Sequence, residues 1–356
     1  MSSSPAESRV WAVILAGGVG SRFWPVSTPG RPKQLLPLAS ERPLIADTVA
    51  RIAPLVPAER IRVVTAPRLA GPIREAVPEL PPESLLLEPR ARGTAPALAW
   101  AAHEIARAEP GAVLVSLHAD HAIEPAEAFR GRLAELAVLA AREERLFTIG
   151  AVPTRPETGF GYIRVGEPLV PALGVCAVAD FVEKPDRDTA REYLRSGGYL
   201  WNTGIFLWRV DVFLSELADH TPEIATRIPL LDAGRVAEFF EAVPMLSVDE
   251  GLLERSERVA VAEATFGWDD VGSWDAVGRT RPTDGAGNVA VGDAHLVDAE
   301  RCIVWAEDGP VVVFGGQDLV AVRARGITFV APRERTPELK ELLARLPERL
   351  REGVEE

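Results

Sequence analysis

The run Val10-Trp-Ala-Val-Ile-Leu15, opening directly into Ala16-Gly17-Gly18-Val19-Gly20-Ser21-Arg22, constrains this chain more than any other feature. Six consecutive apolar residues do not alternate, so the strand they form is covered on both faces, as in a parallel sheet. The glycines that follow let backbone N–H groups approach an anion closely, and Arg22 and Lys33 add positive charge. A tight turn with solvated basic residues satisfies the same letters. Two commoner glycine loops are excluded. A dinucleotide fingerprint needs a third glycine where Phe23 stands, and no G-x-x-x-x-G-K-[ST] string occurs.

Further strand-like runs fall at Ile61–Thr65, 84–87, 113–117 and 146–151, with helical patterns at 45–52, 95–108 and 125–143 between them. Alternation of this kind predicts an α/β domain with a mainly parallel, Rossmann-like sheet. From 159 to 208 the pattern is richer in strands (162–165, 175–182, 204–208), which predicts an insertion beside the sheet that forms one wall of a cleft. Helices follow at 210–218 and 236–242, and a strand at 259–264. Near Arg281 the composition shifts. Pro282 to Gly287 is a turn-rich linker, followed by short valine-rich strands at 289–291, 302–305, 310–314, 318–323 and 327–330. The division is therefore 1–281 and 282–356, the second part a small β module. Its candidate form is a short β-helix, although no clear hexapeptide period marks it. Leucines 339, 342, 343, 346 and 350 predict one helix from Pro337 to about Arg351.

The formal charge of −13 counts against nucleic-acid binding, which needs a positive face. No run of about 18 apolar residues suggests a membrane span. The polar first residues do not read as a signal peptide, and Cys176 and Cys302 make no disulfide framework. The expected location is the cytoplasm. Arginine outnumbers lysine 36 to three, and only two asparagines and two glutamines occur. An ammonium is a compact charge that a guanidinium does not always replace, so Lys33, Lys184 and Asn202 draw notice.

Those residues lie in an ordered set of segments. Leu15 to Pro25 with Pro32-Lys33-Gln34 is followed by Glu88-Pro-Arg-Ala-Arg-Gly-Thr-Ala-Pro96, Ala119-Asp120-His121 and Arg155 to Ile163. Phe181 to Pro185 with Trp201-Asn-Thr-Gly204, and Trp268 to Trp274, complete it. Over roughly 10–280 the chain resembles the nucleotidyltransferases that activate sugar 1-phosphates. Trp24-Pro25 and Gln34 point within them to the mannose-1-phosphate guanylyltransferases.

The resemblance implies transfer of GMP from GTP to α-D-mannose 1-phosphate, giving GDP-mannose and pyrophosphate. It places nucleotide contacts at Leu15, Ala16, Gly17, Gly18, Gly20, Ser21, Arg22, Lys33, Gly93 and Thr94. Sugar-phosphate contacts fall at Gly159, Glu183, Lys184, Asn202 and Thr203, and Mg²⁺ at Asp120 and Asp270. Arg22, Lys33, Asp120 and Asp270 carry the catalysis, with Asp269 structural. Taken alone, Glu183-Lys184 is an ordinary surface ion pair contributing ~0–1 kcal/mol, and a lone Asp at a strand end is a cap.

Two positions depart from the family's pattern: Gly93 replaces a usual Asn, and His118 a usual Pro. Many bacterial relatives also continue into an isomerase domain, for which this chain is too short, so a single activity is expected. A sister enzyme using another nucleotide or hexose 1-phosphate remains an alternative, as does a silent sugar-nucleotide-binding regulator. Homo-oligomerisation through the C-terminal module is the one partner expected besides substrates.

Overall fold

A computed structural model describes residues 9–18 and 21–351. The central sheet has nine strands: β1 (Val10–Leu15), β2 (Ile61–Thr65), β3 (Leu85–Leu87), β4 (Val113–His118), β6 (Leu146–Ala151), β7 (Tyr162–Val170), β8 (Val175–Val182), β9 (Tyr199–Arg209) and β10 (Val259–Glu263). A short ribbon pairs β5 (Ala122–Glu124) with β11 (Gly267–Asp269). The order is β3-β2-β1-β4-β9-β6-β10-β8-β7. Only β8 and β9 run against the other strands, as their antiparallel ladders show.

The alternation of β1 explains its sequence. Val10, Ala12 and Ile14 enter one core with α1 (Leu44–Ile52) and later α4 (Ala126–Ala140). Trp11 and Val13 enter the other, with α3 (Thr94–Ala108); α2 (Ala70–Ala76) flanks the first core through Ile73. Helices on both faces bury the sheet as a middle layer.

The 159–208 region is not set beside the sheet. Its strands join it, and β7 pairs with both β8 and β9. Pairing therefore runs β9-β6-β10-β8-β7 and returns to β9, closing a ring around Ile163, Leu200 and Val261. Hydrogen-bonding capacity at the strand edges drives this closure, because an open edge would leave backbone groups unpaired.

Beyond the linker, β12 (Val289–Val297), β13 (Ile303–Phe314) and β14 (Leu319–Ala324) are parallel, and β15 (Ile327–Pro332) reverses onto β14. The runs 302–305 and 310–314 are one continuous strand rather than two. The expected terminal helix is also interrupted. It opens as a 3₁₀ turn at Arg333–Glu338, becomes α-helical over Leu339–Arg345, and breaks before Glu348–Arg351. Pro347 lacks an N–H and disfavours helical backbone at Leu346, overriding the leucine spacing. Leu339 and Leu343 still reach the core.

That core is shared. Phe23, Trp24 and Val26 from the glycine-rich loop pack with Val271 and Trp274, and with Trp305, Val320 and Phe329 of the β module. Trp24 meets Phe329 edge-on at 5.8 Å, while Trp274 contacts both Phe23 and Trp305. Arg281 locks the joint: its guanidinium donates to the carbonyls of Pro37, Leu38 and Ser40, pairs with Glu41 at 2.8 Å, and lies over Trp305.

Arg281→Ala leaves three carbonyls without a charged donor and is expected to cost about 2–4 kcal/mol. Urea unfolding would measure it, and a loss below about 0.5 kcal/mol would show that the joint is held by the apolar contacts alone.

Candidate active site

The carboxyl ends of β1 and β4 lie side by side, with Leu15 opposite His118. In open α/β sheets this edge is where ligands bind. Gly17 and Gly18 leave β1 exposed there. A Cβ added at Gly18 would meet nothing within 4 Å, and one at Gly17 only Glu88 Oε2 at 3.9 Å. Gly20 lies outside the described residues. Leu15 and Ala16 fix the loop through their backbone. The Leu15 carbonyl accepts from Ala119, the Ala16 N–H donates to Val64, and the Ala16 carbonyl accepts from Gln34 and Thr65. Ser21 starts a 3₁₀ turn, and Arg22 is exposed with no ion pair among the described residues.

Lys33 is buried in the next 3₁₀ turn. Its ammonium lies 2.9 Å from Asp120 Oδ2 and 2.5 Å from the Asp270 carbonyl oxygen, to which it donates. It thus joins segments 150 residues apart. Burial alone would raise the Asp120 carboxyl, but Lys33, His121 and His118 hold it down at about 2. Asp270 behaves oppositely. Burial pushes it up to about 6 against Lys33, and Asp269, Asp120 and Glu157 add to the rise. Asp269 is spent structurally, accepting from the Val271 N–H and pairing with Arg279. Val271 adopts φ +46° while fully buried, a strained backbone for a β-branched residue that the shared core holds in place.

Burial pushes the Glu88 carboxyl up, opposed by the Arg92 N–H that it accepts. Gly93 has φ +86° and ψ 179°, a region essentially confined to glycine. A Cβ there would lie 2.3 Å from the Leu246 carbonyl oxygen. No asparagine fits this backbone, so the departure at 93 is conformational. The Thr94 hydroxyl accepts from Val248 N–H, leaving its own hydrogen and one lone pair to offer a ligand.

On the other side of the cleft, Lys184 Nζ pairs with Glu183 Oε1 at 2.5 Å and remains exposed. Gly161 makes room for Glu183, since a Cβ would come 2.6 Å from Oε2. Gly159 is exposed, its N–H donating to Glu157. The register of β6 and β9 shifts between Thr148 and Gly150, and Gly204 takes φ +69° in the bulge, a device that re-aims side chains. Asn202 accordingly faces the cleft. Its Nδ2 donates to Asp249 Oδ1 at 2.7 Å, and its Oδ1 accepts from Gly204 N–H and Thr148 Oγ1. Thr203 does not face the cleft: it is 1% exposed and its hydroxyl donates to Ile149. Its side chain is thus engaged within the protein, as expected where successive residues of a strand point to opposite faces.

Sequence reasoning misses Asp249. It begins a π-helical turn, Asp249–Leu253, and burial followed by Glu183 pushes its carboxyl up to about 6, against Asn202 and Lys184. Nothing in its local letters marks it, since its partner lies 47 residues away. The sequence marks His121 only as part of a motif; its Nδ1 accepts the Trp268 indole N–H at 3.2 Å. Burial lowers the pKa of His118 and, further, of His121. Among the described residues, His118, Asp120 and His121 form the group able to hold a metal ion, while the Asp270 carboxylate stands outside it.

The arrangement offers exposed backbone donors, a buried ammonium between two acidic segments, and a facing wall of carboxylate and amide. That is machinery for positioning polyanions. The family model for nucleotidyl transferases matches residues 11–284, and the chain belongs to that family. A MannoseP isomerase/GMP-like beta-helix domain matches 292–346, in keeping with the parallel coils of β12 to β14. Among particular proteins, the chain is 36% identical to the mannose-1-phosphate guanylyltransferase of Escherichia coli K12, over 96% of this chain and 74% of that one. It is 36% identical to the alginate biosynthesis protein AlgA of Pseudomonas aeruginosa, over 93% and 71%. A Thermus thermophilus structure described as a mannose-1-phosphate geranyltransferase superposes with a TM-score of 0.87 at 35% identity, covering 95% and 99%. No helix among the described residues is long and apolar enough to cross a membrane.

The raised Asp249 carboxyl makes a stability prediction. With a folded-state value near 6 against 3.8 unfolded, the cost of keeping it ionised is fully present above pH 6 and disappears as pH falls towards 3.8. Asp249→Asn is therefore expected to melt higher than the parent at pH 8, with a smaller difference at pH 5. An unchanged or lower melting temperature at pH 8 would remove Asp249 from a destabilised carboxyl pair.

Proposed function

We propose that the chain transfers GMP from GTP to α-D-mannose 1-phosphate, releasing pyrophosphate and forming GDP-mannose. The observation that carries this reading is Lys33, whose ammonium ties the Asp120 carboxylate to the Asp270 segment beside the exposed glycines of β1. The relatives' names supply guanine and mannose. In this reading residues 1–281 carry the chemistry, 282–356 brace them, and the reaction takes place in the cytoplasm.

The sugar phosphate is already nucleophilic. One of its oxygens attacks the α-phosphorus as the bond to the β-phosphate oxygen breaks, so the protein needs no covalent nucleophile. It supplies positioning and charge. Exposed N–H groups of Gly17 and Gly18, with Arg22, cradle the triphosphate, and Lys33 offsets charge on the departing pyrophosphate. Across the cleft Lys184 meets the sugar phosphate. Glu183 accepts from sugar hydroxyls, and the free Asn202 N–H donates to one. The carboxylate oxygens of Asp120 and Asp270 are of the kind that Mg²⁺ takes, and these two residues would hold it: Oδ1 of Asp120 has no hydrogen-bond partner among the described residues, and Asp270 sits amid like charge. When bound, that ion would neutralise α-phosphate charge during the displacement.

Pyrophosphate release, measured across four nucleoside triphosphates and several hexose 1-phosphates, tests the reading. GTP with mannose 1-phosphate is expected to give the largest kcat/KM. A better pair would make the chain a sister enzyme, and no turnover with any pair would make it a silent binder. Lys184→Ala is expected to raise KM for the sugar phosphate at least tenfold while barely changing that for GTP. Equal effects would move Lys184 out of the sugar-phosphate site. Asp120→Asn is expected to lower kcat by two orders of magnitude or more in a protein that still folds, with some loss of melting temperature because Lys33 loses its charged partner; near-normal turnover would end the assignment.

A further inference from the structure

Asp120 has two imidazoles beside it. One nitrogen each from His118 and His121 and one Asp120 oxygen lie within 4.8 Å of one another, where β4 ends. Lys33 occupies Oδ2 of the carboxylate and leaves Oδ1 without a hydrogen bond among the described residues.

The two histidines are chemically different. The Nδ1 of His121 accepts the indole N–H of Trp268. A neutral imidazole has one lone pair, so the other nitrogen of His121 carries the proton and can only donate. The His118 ring makes no hydrogen bond among the described residues. Its ring lies against His121, centroids 4.8 Å apart and planes 31° from parallel. Its other neighbour is Gly204, where an added Cβ would stand 2.7 Å from His118 Nε2. The positive φ of Gly204 and its missing side chain thus make room for this ring. The His118 lone pair is the one nitrogen donor in the group that no protein N–H has claimed.

Magnesium takes oxygen ligands and binds imidazole poorly, whereas cobalt and zinc accept nitrogen readily. We propose that His118 and Asp120 together form a mixed nitrogen–oxygen site for a borderline divalent cation, which prefers Co²⁺ or Zn²⁺ to Mg²⁺. His121 is a positioning residue there, its ring fixed by Trp268. The inference rests on the reading of Asp120 as a cation ligand.

The test uses the full chain without substrates, with Co²⁺ as the probe. Calorimetric titration compares Co²⁺ and Mg²⁺, and the visible d–d band of bound Co²⁺ reports nitrogen ligation independently of turnover. The parent is expected to bind Co²⁺ at least tenfold more tightly than Mg²⁺. His118→Phe keeps a ring over Gly204 but has no lone pair. It is expected to lose that preference and shift the band while retaining Mg²⁺ affinity and the parent's melting temperature. His121→Phe is expected to keep the preference. A preference that survives His118→Phe, or a parent that binds both ions equally or neither, overturns the proposal. So does loss of the preference in His121→Phe, which would make His121 the nitrogen ligand. Asp120→Asn separates the two readings. Unchanged binding of both ions in that variant defeats the cation reading of Asp120 itself. Loss of both ions, with no effect of His118→Phe, defeats only the role of His118.

Discussion

The aromatic joint between the glycine-rich loop and the β module is the contact on which the rest depends. A loop that must present bare N–H groups to phosphate cannot carry side chains able to anchor it there. Phe23 and Trp24 follow immediately, and both are buried against Trp274 and Phe329. Trp274 donates its indole N–H to the Trp24 carbonyl, and Trp24 donates to the Leu350 carbonyl. Burying such rings contributes about 1.5–3 kcal/mol each, and edge-on pairs add ~0.5–1.5 kcal/mol. Val271, one residue beyond Asp270, belongs to the same cluster. One apolar core therefore sets both the glycine-rich loop and the second acidic segment, and the β module contributes Trp305, Val320 and Phe329 to it.

Electrostatics at the cleft run against the charge of the whole chain. A protein at −13 that handles two polyanions must concentrate its positive charge locally. Lys33 does so at the least comfortable place, buried between acidic groups, and its presence holds Asp120 ionised. Asp270 and Asp249 have no such complete compensation, and burial raises both. Carboxylates kept in that state lower stability, as functional sites commonly do. The strained backbone at Val271, and at Lys184 with φ +47°, belongs to the same pattern.

Much of this was legible from residue order. The strand β1, its glycine turn, the alternating elements and the valine-rich module all follow from local apolar patterning, which a buried strand or helix imposes directly. Other features depend on contacts that no local pattern encodes. Asn202 and Thr203 look equally suited to a sugar, and only the bulge in β9 decides which one faces the cleft. Asp249 acquires its role from Asn202 and Glu183, both distant in sequence. Gly93 looks like a lost amide until its φ and the Leu246 carbonyl show that nothing else fits. The break at Pro347 was readable from proline chemistry alone, and the leucine spacing obscured it.

Strand β9 explains how the two sides of the cleft stay in register. It runs antiparallel between β4 and β6, so its early residues reach the edge at which β4 ends. Gly204 therefore stands beside His118, with Asn202 two residues away on the same strand, although both come from the region that closes the five-strand ring. Gly204 touches His118 on one side and, through its N–H, fixes the Asn202 carbonyl on the other. In the proposed reaction, displacing Gly204 would therefore disturb the cation side and the sugar side together. Proximity of about 1 Å matters to a displacement that relies on positioning rather than on a covalent nucleophile. A bulge with a positive-φ glycine is a small structural cost for the alignment of two substrates that the proposed reaction needs.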